Sequence, residues 1–269
     1  MNIGIIGGTG KMGQWFATVF KGKGHDVLVS GRTTTLTNEQ LATKADVVIV
    51  SVPIADTVAV IDEIAPLLKE EQLLMDFTSV KTAPVEAMSK TKAEVIGLHP
   101  MFNQHAESLA GQHIVFCPAR APTWEPRIRE LFSEATLTTA TPEEHDTMMA
   151  IVQVMNHFNL ISFGHALAAL DVDIKHSLNF SSPLYKLHVA MTGRVLAYDA
   201  DLYSQIGLAN KETDAVLRSY FDSLEELKRI LGTKNTDAFA AYFKKAATHF
   251  HEQKEDAIQT TNTVLAQLK

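Results

Sequence analysis

His99 closes an apolar run, Glu94-Val95-Ile96-Gly97-Leu98-His99, and is followed by Pro100-Met101-Phe102. Imidazole is the side chain best suited to exchanging a proton near neutral pH. If residues 94–98 form a strand of an open parallel sheet, His99 lies at its carboxyl end, where such sheets bind ligands. A loop histidine ordered by the following proline is the plain alternative for an isolated His-Pro pair. The catalytic reading gains weight from a glycine-rich segment upstream.

That segment, Ile3-Gly4-Ile5-Ile6-Gly7-Gly8-Thr9-Gly10-Lys11-Met12-Gly13, reads as a strand, a turn and a helix start. Gly8, Gly10 and Gly13 match G-x-G-x-x-G, with Thr9, Lys11 and Met12 between them. The pattern predicts a tight turn at Gly8, backbone approach to a pyrophosphate at Gly10 and close helix–strand packing at Gly13. The helix N-terminus attracts phosphate charge. The next strand ends Val29-Ser30-Gly31-Arg32-Thr33-Thr34. NAD sites usually carry an acid there for the ribose 2′-hydroxyl. Ser30 stands near that position, and Arg32 can pair with a 2′-phosphate while neighbouring hydroxyls such as Thr33 add hydrogen bonds. NADP is therefore the expected cofactor, with NAD the alternative.

The elements that must position these residues divide the chain in two. Apolar runs at residues 2–7, 27–30, 47–52, 73–77, 94–98 and 113–118 alternate with helical spacing at 12–21, 56–68 and 84–90. This predicts an α/β fold with a Rossmann-like, doubly wound parallel sheet over residues 1–140. Thr141-Pro142-Glu143-Glu144 is a helix-start signature. From there residues 141–269 read as all-helical, with helices over 142–169, 183–198, 211–231 and an interrupted 237–268. The helix over 142–169 is apolar almost all round. Such a helix is buried on most sides, and a small helical domain covers it most readily across a two-fold homodimer.

Composition narrows the class. The chain has 269 residues, 46% hydrophobic and 20% charged, with a net charge of −7. It is globular, and neither its charge nor any basic run suggests nucleic-acid binding. No segment reaches the roughly 18 consecutive apolar residues of a membrane span. No signal sequence opens it, so a cytoplasmic protein is expected. Cys117, the single cysteine, excludes an internal disulfide framework and reads as a buried thiol. His249 and His251 lie two apart on a helical stretch and do not face one way; no metal is assigned.

Further segments complete the set: Val50-Ser51-Val52-Pro53-Ile54, Asp76-Phe77-Thr78-Ser79-Val80-Lys81, Glu144-His145-Asp146, Asn156-His157-Phe158, Ser181-Ser182-Pro183 and Met191-Thr192-Gly193-Arg194. In this order, with Gly-Leu-His-Pro-Met-Phe, they resemble the prephenate dehydrogenase family, especially the dehydrogenase region of the bacterial enzymes fused to chorismate mutase. The resemblance covers essentially the whole chain and looks like that of a monofunctional member. It implies oxidative decarboxylation of prephenate, in tyrosine biosynthesis. His99 would take the proton of the C4 hydroxyl, and Ser79 would orient His99 or that hydroxyl. Arg194 would bind a substrate carboxylate, His157 would lie near the substrate, and Lys186 would add positive charge. Val52 and Pro53 join the cofactor site. Independently, a polar Asn156-His157 pair in an apolar helix needs partners. For His145 a structural role at the helix start stands beside a functional one.

One departure concerns the substrate. The family often continues His-Pro-Met-Phe-Gly-Pro, whereas Phe102 is followed here by Asn103-Gln104-His105. Arogenate and 4-amino-4-deoxyprephenate are the close alternatives. A β-hydroxyacid dehydrogenase would share the fingerprint without needing Ser79, His99 and Arg194 together. A non-catalytic NADP-sensing dimer would bind nucleotide without turnover.

Overall fold

The structure, a computed structural model, describes residues 1–267. It contains two compact units. One takes Met1–Ala150 with Ser204–Lys211, and the other Ile151–Tyr203 with the chain from Glu212 on.

The first unit is built on one sheet. Its strands are β1 (Asn2–Ile6), β2 (Asp26–Ser30), β3 (Val47–Val50), β4 (Leu73–Asp76), β5 (Glu94–Pro100), β6 (His113–Arg120) and β7 (Thr136–Thr139). They lie in the order β2-β1-β3-β4-β5-β6-β7. The chain leaves β1 for β2 on one side and returns to β3 on the other, so the strand order reverses at β1. The helices are α1 (Lys11–Gly22), α2 (Asn38–Lys44), α3 (Ile54–Ile64), α4 (Thr82–Met88), α5 (Glu125–Leu131) and α6 (Pro142–Met149).

Alternation along the strands builds a core on each face of the sheet. Ile3, Ile5, Val47, Ile49, Leu73, Met75, Ile96 and Leu98 join Phe16 and Phe20 of α1 and Ile128 of α5. Ile6, Val48, Val50, Leu74 and Val95 join Leu41 of α2, Ile61 of α3 and Met88 of α4. Strands buried on both faces read as continuous apolar runs, which is why these were visible in the sequence.

The sheet is not wholly parallel as expected. β6 runs antiparallel to β5, with His99 opposite Val115. Residues 101–112 between them form no helix, so the chain folds straight back instead of crossing over. After α5, β7 pairs parallel with β6. No period-2 apolar signal marks β7, whose Thr-Leu-Thr-Thr is mostly exposed at the sheet edge.

The helical part of the chain, from Pro142 on, differs from expectation in its breaks. The helix anticipated over 142–169 is α6, a π-helical stretch at Ala150–Met155, and α7 (Asn156–Ala169). A π-bulge adds residues to the turn and rotates the apolar face, so apolar residues fall all round when the stretch is read as one regular helix. Met148, Ile151 and Val152 are in fact exposed in the single chain. The helices α8 (Ile174–Ser177), α9 (Pro183–Leu196), α10 (Ala200–Ala209) and α11 (Thr213–Gly232) follow. The interrupted last segment is α12 (Thr236–His249) and α13 (Gln253–Ala266), with His251 at φ 42° between them; Leu268 lies outside the described residues. Among the described residues no helix is long and apolar enough to cross a membrane.

Candidate active site

The glycine turn has the form of a phosphate cradle. Its positive φ, 77°, falls on Gly7 rather than Gly8. A side chain at Gly7 would also strike the Ser51 carbonyl, 2.3 Å from the added carbon, so only glycine serves there. Gly10 is the N-cap of α1 and brings no side-chain cap. The first amides of α1 are thus left for an outside acceptor. Thr9, Gly10 and Lys11 are exposed around it, Met12 is half-buried and Gly13 is buried. Val52, half-buried, and exposed Pro53 follow β3 at the point where the strand order reverses.

At the end of β2 the expected residues separate. Ser30 is fully buried, and its hydroxyl donates to Asn38 Oδ1 at 2.9 Å. Its side chain is therefore a structural link to α2. Arg32 and Thr33 are exposed.

His99 sits near the carboxyl end of β5 and is 2% exposed. Its Nδ1 lies 2.8 Å from Nε2 of His145. Nδ1 of His145 lies 2.8 Å from Asp146 Oδ1. The Asp146 carboxylate also accepts the backbone N–H of Lys81 at 2.7 Å and of Thr82 at 2.9 Å. These amides open α4, so Asp146 of α6 caps another helix. Its own backbone carbonyl accepts from Asn210 Nδ2 at 2.7 Å. α6 begins as read, with the Thr141 hydroxyl accepting the Glu144 amide at 3.1 Å. That start places His145 and Asp146 on the first turns.

Burial first, then neighbouring His145 and Lys81, holds His99 well below the ordinary histidine value of 6.5. Burial likewise lowers His145 although Asp146 opposes it. Hydrogen bonds to the charged form outweigh desolvation at Asp146 and bring its carboxyl down to about 2.

Beneath His99 lies a buried ion pair. Lys81 Nζ contacts Asp76 Oδ2, and both side chains are fully inaccessible. The ammonium also donates to the Thr78 hydroxyl at 3.2 Å. Gly97 makes room for it, since an added carbon there would lie 3.0 Å from Lys81 Cδ and 2.8 Å from Val85. Ser79 is half-buried on the turn between these partners.

The second unit holds the remaining expected residues. His157 on α7 meets Tyr203 edge-on at 4.8 Å between centroids. Its Nδ1 is buried with no hydrogen-bond partner among the described residues, and burial lowers its pKa. Burial, with a smaller contribution from Tyr198, raises the Tyr203 hydroxyl, and the positive charge of Arg194 opposes the shift. Arg194 and Lys186 both lie exposed on α9. Ser-Ser-Pro proves to be a helix start, Ser182 accepting the Tyr185 amide at 3.3 Å.

The comparisons agree along the whole length. The nucleotide-binding domain model of prephenate dehydrogenase matches residues 26–158, and its dimerization domain model matches residues 141–245. The T-protein of Haemophilus influenzae is 33% identical over 98% of this chain and 71% of its own length. The chain belongs to the prephenate dehydrogenase family. A Methanocaldococcus jannaschii protein named probable arogenate/prephenate dehydrogenase is 36% identical over 99% of this chain and 65% of its own length. The chain thus spans about two thirds of the length of these relatives. The crystal structure of prephenate dehydrogenase from A. aeolicus in complex with hydroxyphenyl propionate and NAD+ shares the fold, with TM-score 0.74 and 19% identity over 94% of this chain and 98% of that one.

Within this prephenate dehydrogenase family member, two groups leave little local signal in the sequence. The His145–Asp146 pair looked like an ordinary helix start because its partner, His99, is 46 residues away. Lys81, in Ser-Val-Lys, has no neighbour in sequence that marks it as buried. Its signal was Asp76, an acid closing the apolar strand Leu73-Leu74-Met75, which required a buried partner.

Proposed function

We propose that this chain oxidises prephenate to 4-hydroxyphenylpyruvate and carbon dioxide with NADP. The observation that carries this reading is His99, a buried imidazole held neutral at the carboxyl end of β5, in the same unit as the glycine cradle. The cradle suits a dinucleotide: the amides that open α1 have no side-chain cap. Gly8, Gly10 and the first turn of α1 would hold the pyrophosphate, and Arg32 with Thr33 a 2′-phosphate. When bound, the nicotinamide supplies a hydride acceptor for C4 of the ring. His99 takes the hydroxyl proton as the C4 carbonyl forms. The electron pair of the C1–carboxylate bond then enters the ring as carbon dioxide leaves, and the proton returns to the phenolic oxygen. Ser79 orients His99 or the hydroxyl. Arg194 binds a carboxylate, where its fork geometry is apt, with His157 and Lys186 as further substrate contacts. The protein acts as a homodimer through its helical unit, whose Phe180, Leu170, Leu184 and Phe243 are 79%, 74%, 64% and 64% exposed in the single chain.

Substrate choice is tested at the departure beside His99. The Asn103 carboxamide accepts the His105 amide at 3.0 Å, and Gln104 contacts the His105 ring at 3.1 Å. Both are half-buried. Their loop is fixed on α1, since Trp15 Nε1 donates to the Ala106 carbonyl at 2.7 Å. Prephenate is expected to give the highest kcat/KM among prephenate, arogenate and 4-amino-4-deoxyprephenate. An amino substrate ahead by more than about tenfold, roughly 1.4 kcal/mol, rejects prephenate. No turnover of any of the three rejects the dehydrogenase reading.

The nucleotide is tested separately. NADP is expected to exceed NAD in kcat/KM. Arg32→Ala should cost NADP about 1.5–3 kcal/mol, as for a lost charge-assisted hydrogen bond, and leave NAD nearly unchanged. An NAD preference in the wild type, or equal losses for both, removes Arg32 from that role.

A further inference from the structure

We propose that His145 and Asp146 are positioning residues that hold His99 in the tautomer with its proton on Nδ1 and its lone pair on Nε2. The inference rests on the reading of His99 as the base and deepens it. It follows from counting donors along the chain of contacts. Asp146 receives two backbone N–H groups and is ionised, so it only accepts. Nδ1 of His145, 2.8 Å from that carboxylate, must therefore carry a proton. A neutral His145 then has its lone pair on Nε2. That atom is 2.8 Å from Nδ1 of His99, so the proton between the rings belongs to His99 Nδ1. A neutral His99 is left with a lone pair on Nε2, the atom that takes the substrate proton.

Neutrality of both rings is supported by the surroundings. His99 is 2% and His145 1% exposed. The charged groups acting on them are Asp146 from α6, Asp76 from β4 and Lys81 from the start of α4. The last two form a closed pair. Cys117, on β6 beside this group, is pushed up to about 12 by burial and stays a thiol. The arrangement has a second use. When His99 becomes an imidazolium, its Nδ1–H donates to a neutral acceptor already in place, and hydrogen bonds from a charged donor are the stronger kind. His145 is in turn held by an anion on its far side. Asp146 is anchored by the α4 amides, so the line is fixed at both ends.

The test begins with the unaltered full-length protein. It is labelled with 15N-histidine, with His99 and His145 assigned by their loss in single variants. At pH 7.5 both rings should show a protonated Nδ1 and an unprotonated Nε2. A proton on Nε2 of His99 overturns the proposal, and this reading needs no turnover. Kinetics then separate positioning from folding. His145→Phe removes the acceptor and should lower kcat roughly 10²-fold, the scale of a misdirected general base, with substrate KM changed less than about threefold. His145→Gln offers an amide oxygen to His99 Nδ1–H and should recover at least about tenfold of that loss. Unchanged kcat in His145→Phe, or equal losses in both variants with KM rising in step, overturns it. Inactivity of the wild type on every cyclohexadienyl substrate would remove the dehydrogenase reading while leaving the tautomer measurement to stand or fall by itself.

Discussion

His99→Asn is expected to lower kcat by roughly 10²–10⁴, the usual contribution of a positioned general base, or about 2.7–5.5 kcal/mol. Asparagine keeps a polar side chain in the buried position but cannot take a proton. Substrate KM should change much less, because the lost interaction develops in the transition state. Arg194→Ala should behave oppositely and raise KM more than it lowers kcat, since a carboxylate contact exists before chemistry begins. The pH dependence adds a signed test. Burial depresses His99 well below 6.5, so the base remains deprotonated as pH falls past that value. The acid limb of kcat/KM should therefore lie below pH 6.5 and be absent from the residual activity of His99→Asn. Near-normal turnover in that variant, with chemistry rate-limiting, would exclude His99 as the base.

The second large effect is on stability. Lys81→Met should destabilise the protein by about 3–5 kcal/mol, the cost of breaking a buried ion pair from one side. The Asp76 carboxylate is fully buried, and its Oδ1 already lacks a hydrogen-bond partner among the described residues. Without the ammonium, its remaining side-chain donor is the Thr78 hydroxyl, together with the Thr78 amide at 3.0 Å. The penalty comes from the stranded charge rather than from a lost attraction. Removing both partners should therefore restore much of the loss, because an apolar replacement of a buried pair is often neutral. Denaturant unfolding of Lys81→Met, Asp76→Leu and the double variant forms a closed cycle. A cost below about 1 kcal/mol for Lys81→Met would show that water reaches the carboxylate.

The parts of the architecture legible in the amino-acid order are those set by local physics. Strands buried on both faces must be apolar throughout, so β1, β3 and β5 were visible through their Val and Ile residues and β4 as Leu-Leu-Met. The Gly-rich turn was legible as a whole because a short strand, a tight turn and an amphipathic helix leave one pattern. The Thr141-Pro142 start of α6 was equally local, since a cap involves only residues within one turn. The resemblance of ordered segments such as Gly-Leu-His-Pro-Met-Phe carried the family, which the comparisons along the chain then established. Periodicity could not place a π-helical stretch, because the same apolar residues fit a regular helix with a wider buried face. Nor could it show β6 turning back on β5, because strand direction depends on the path of the connection rather than on the strand's own residues. Packing in three dimensions gives the positive φ to Gly7, not Gly8, and binds Ser30 to Asn38. Only it joined Asp146 and His145 to His99, and Lys81 to Asp76 under Gly97. These last links join groups from β4, β5, α6 and the start of α4, and the contact between His99 and His145 spans 46 residues of sequence. A single polar residue in a sequence announces that it needs a partner, but the partner's identity is a property of the packing.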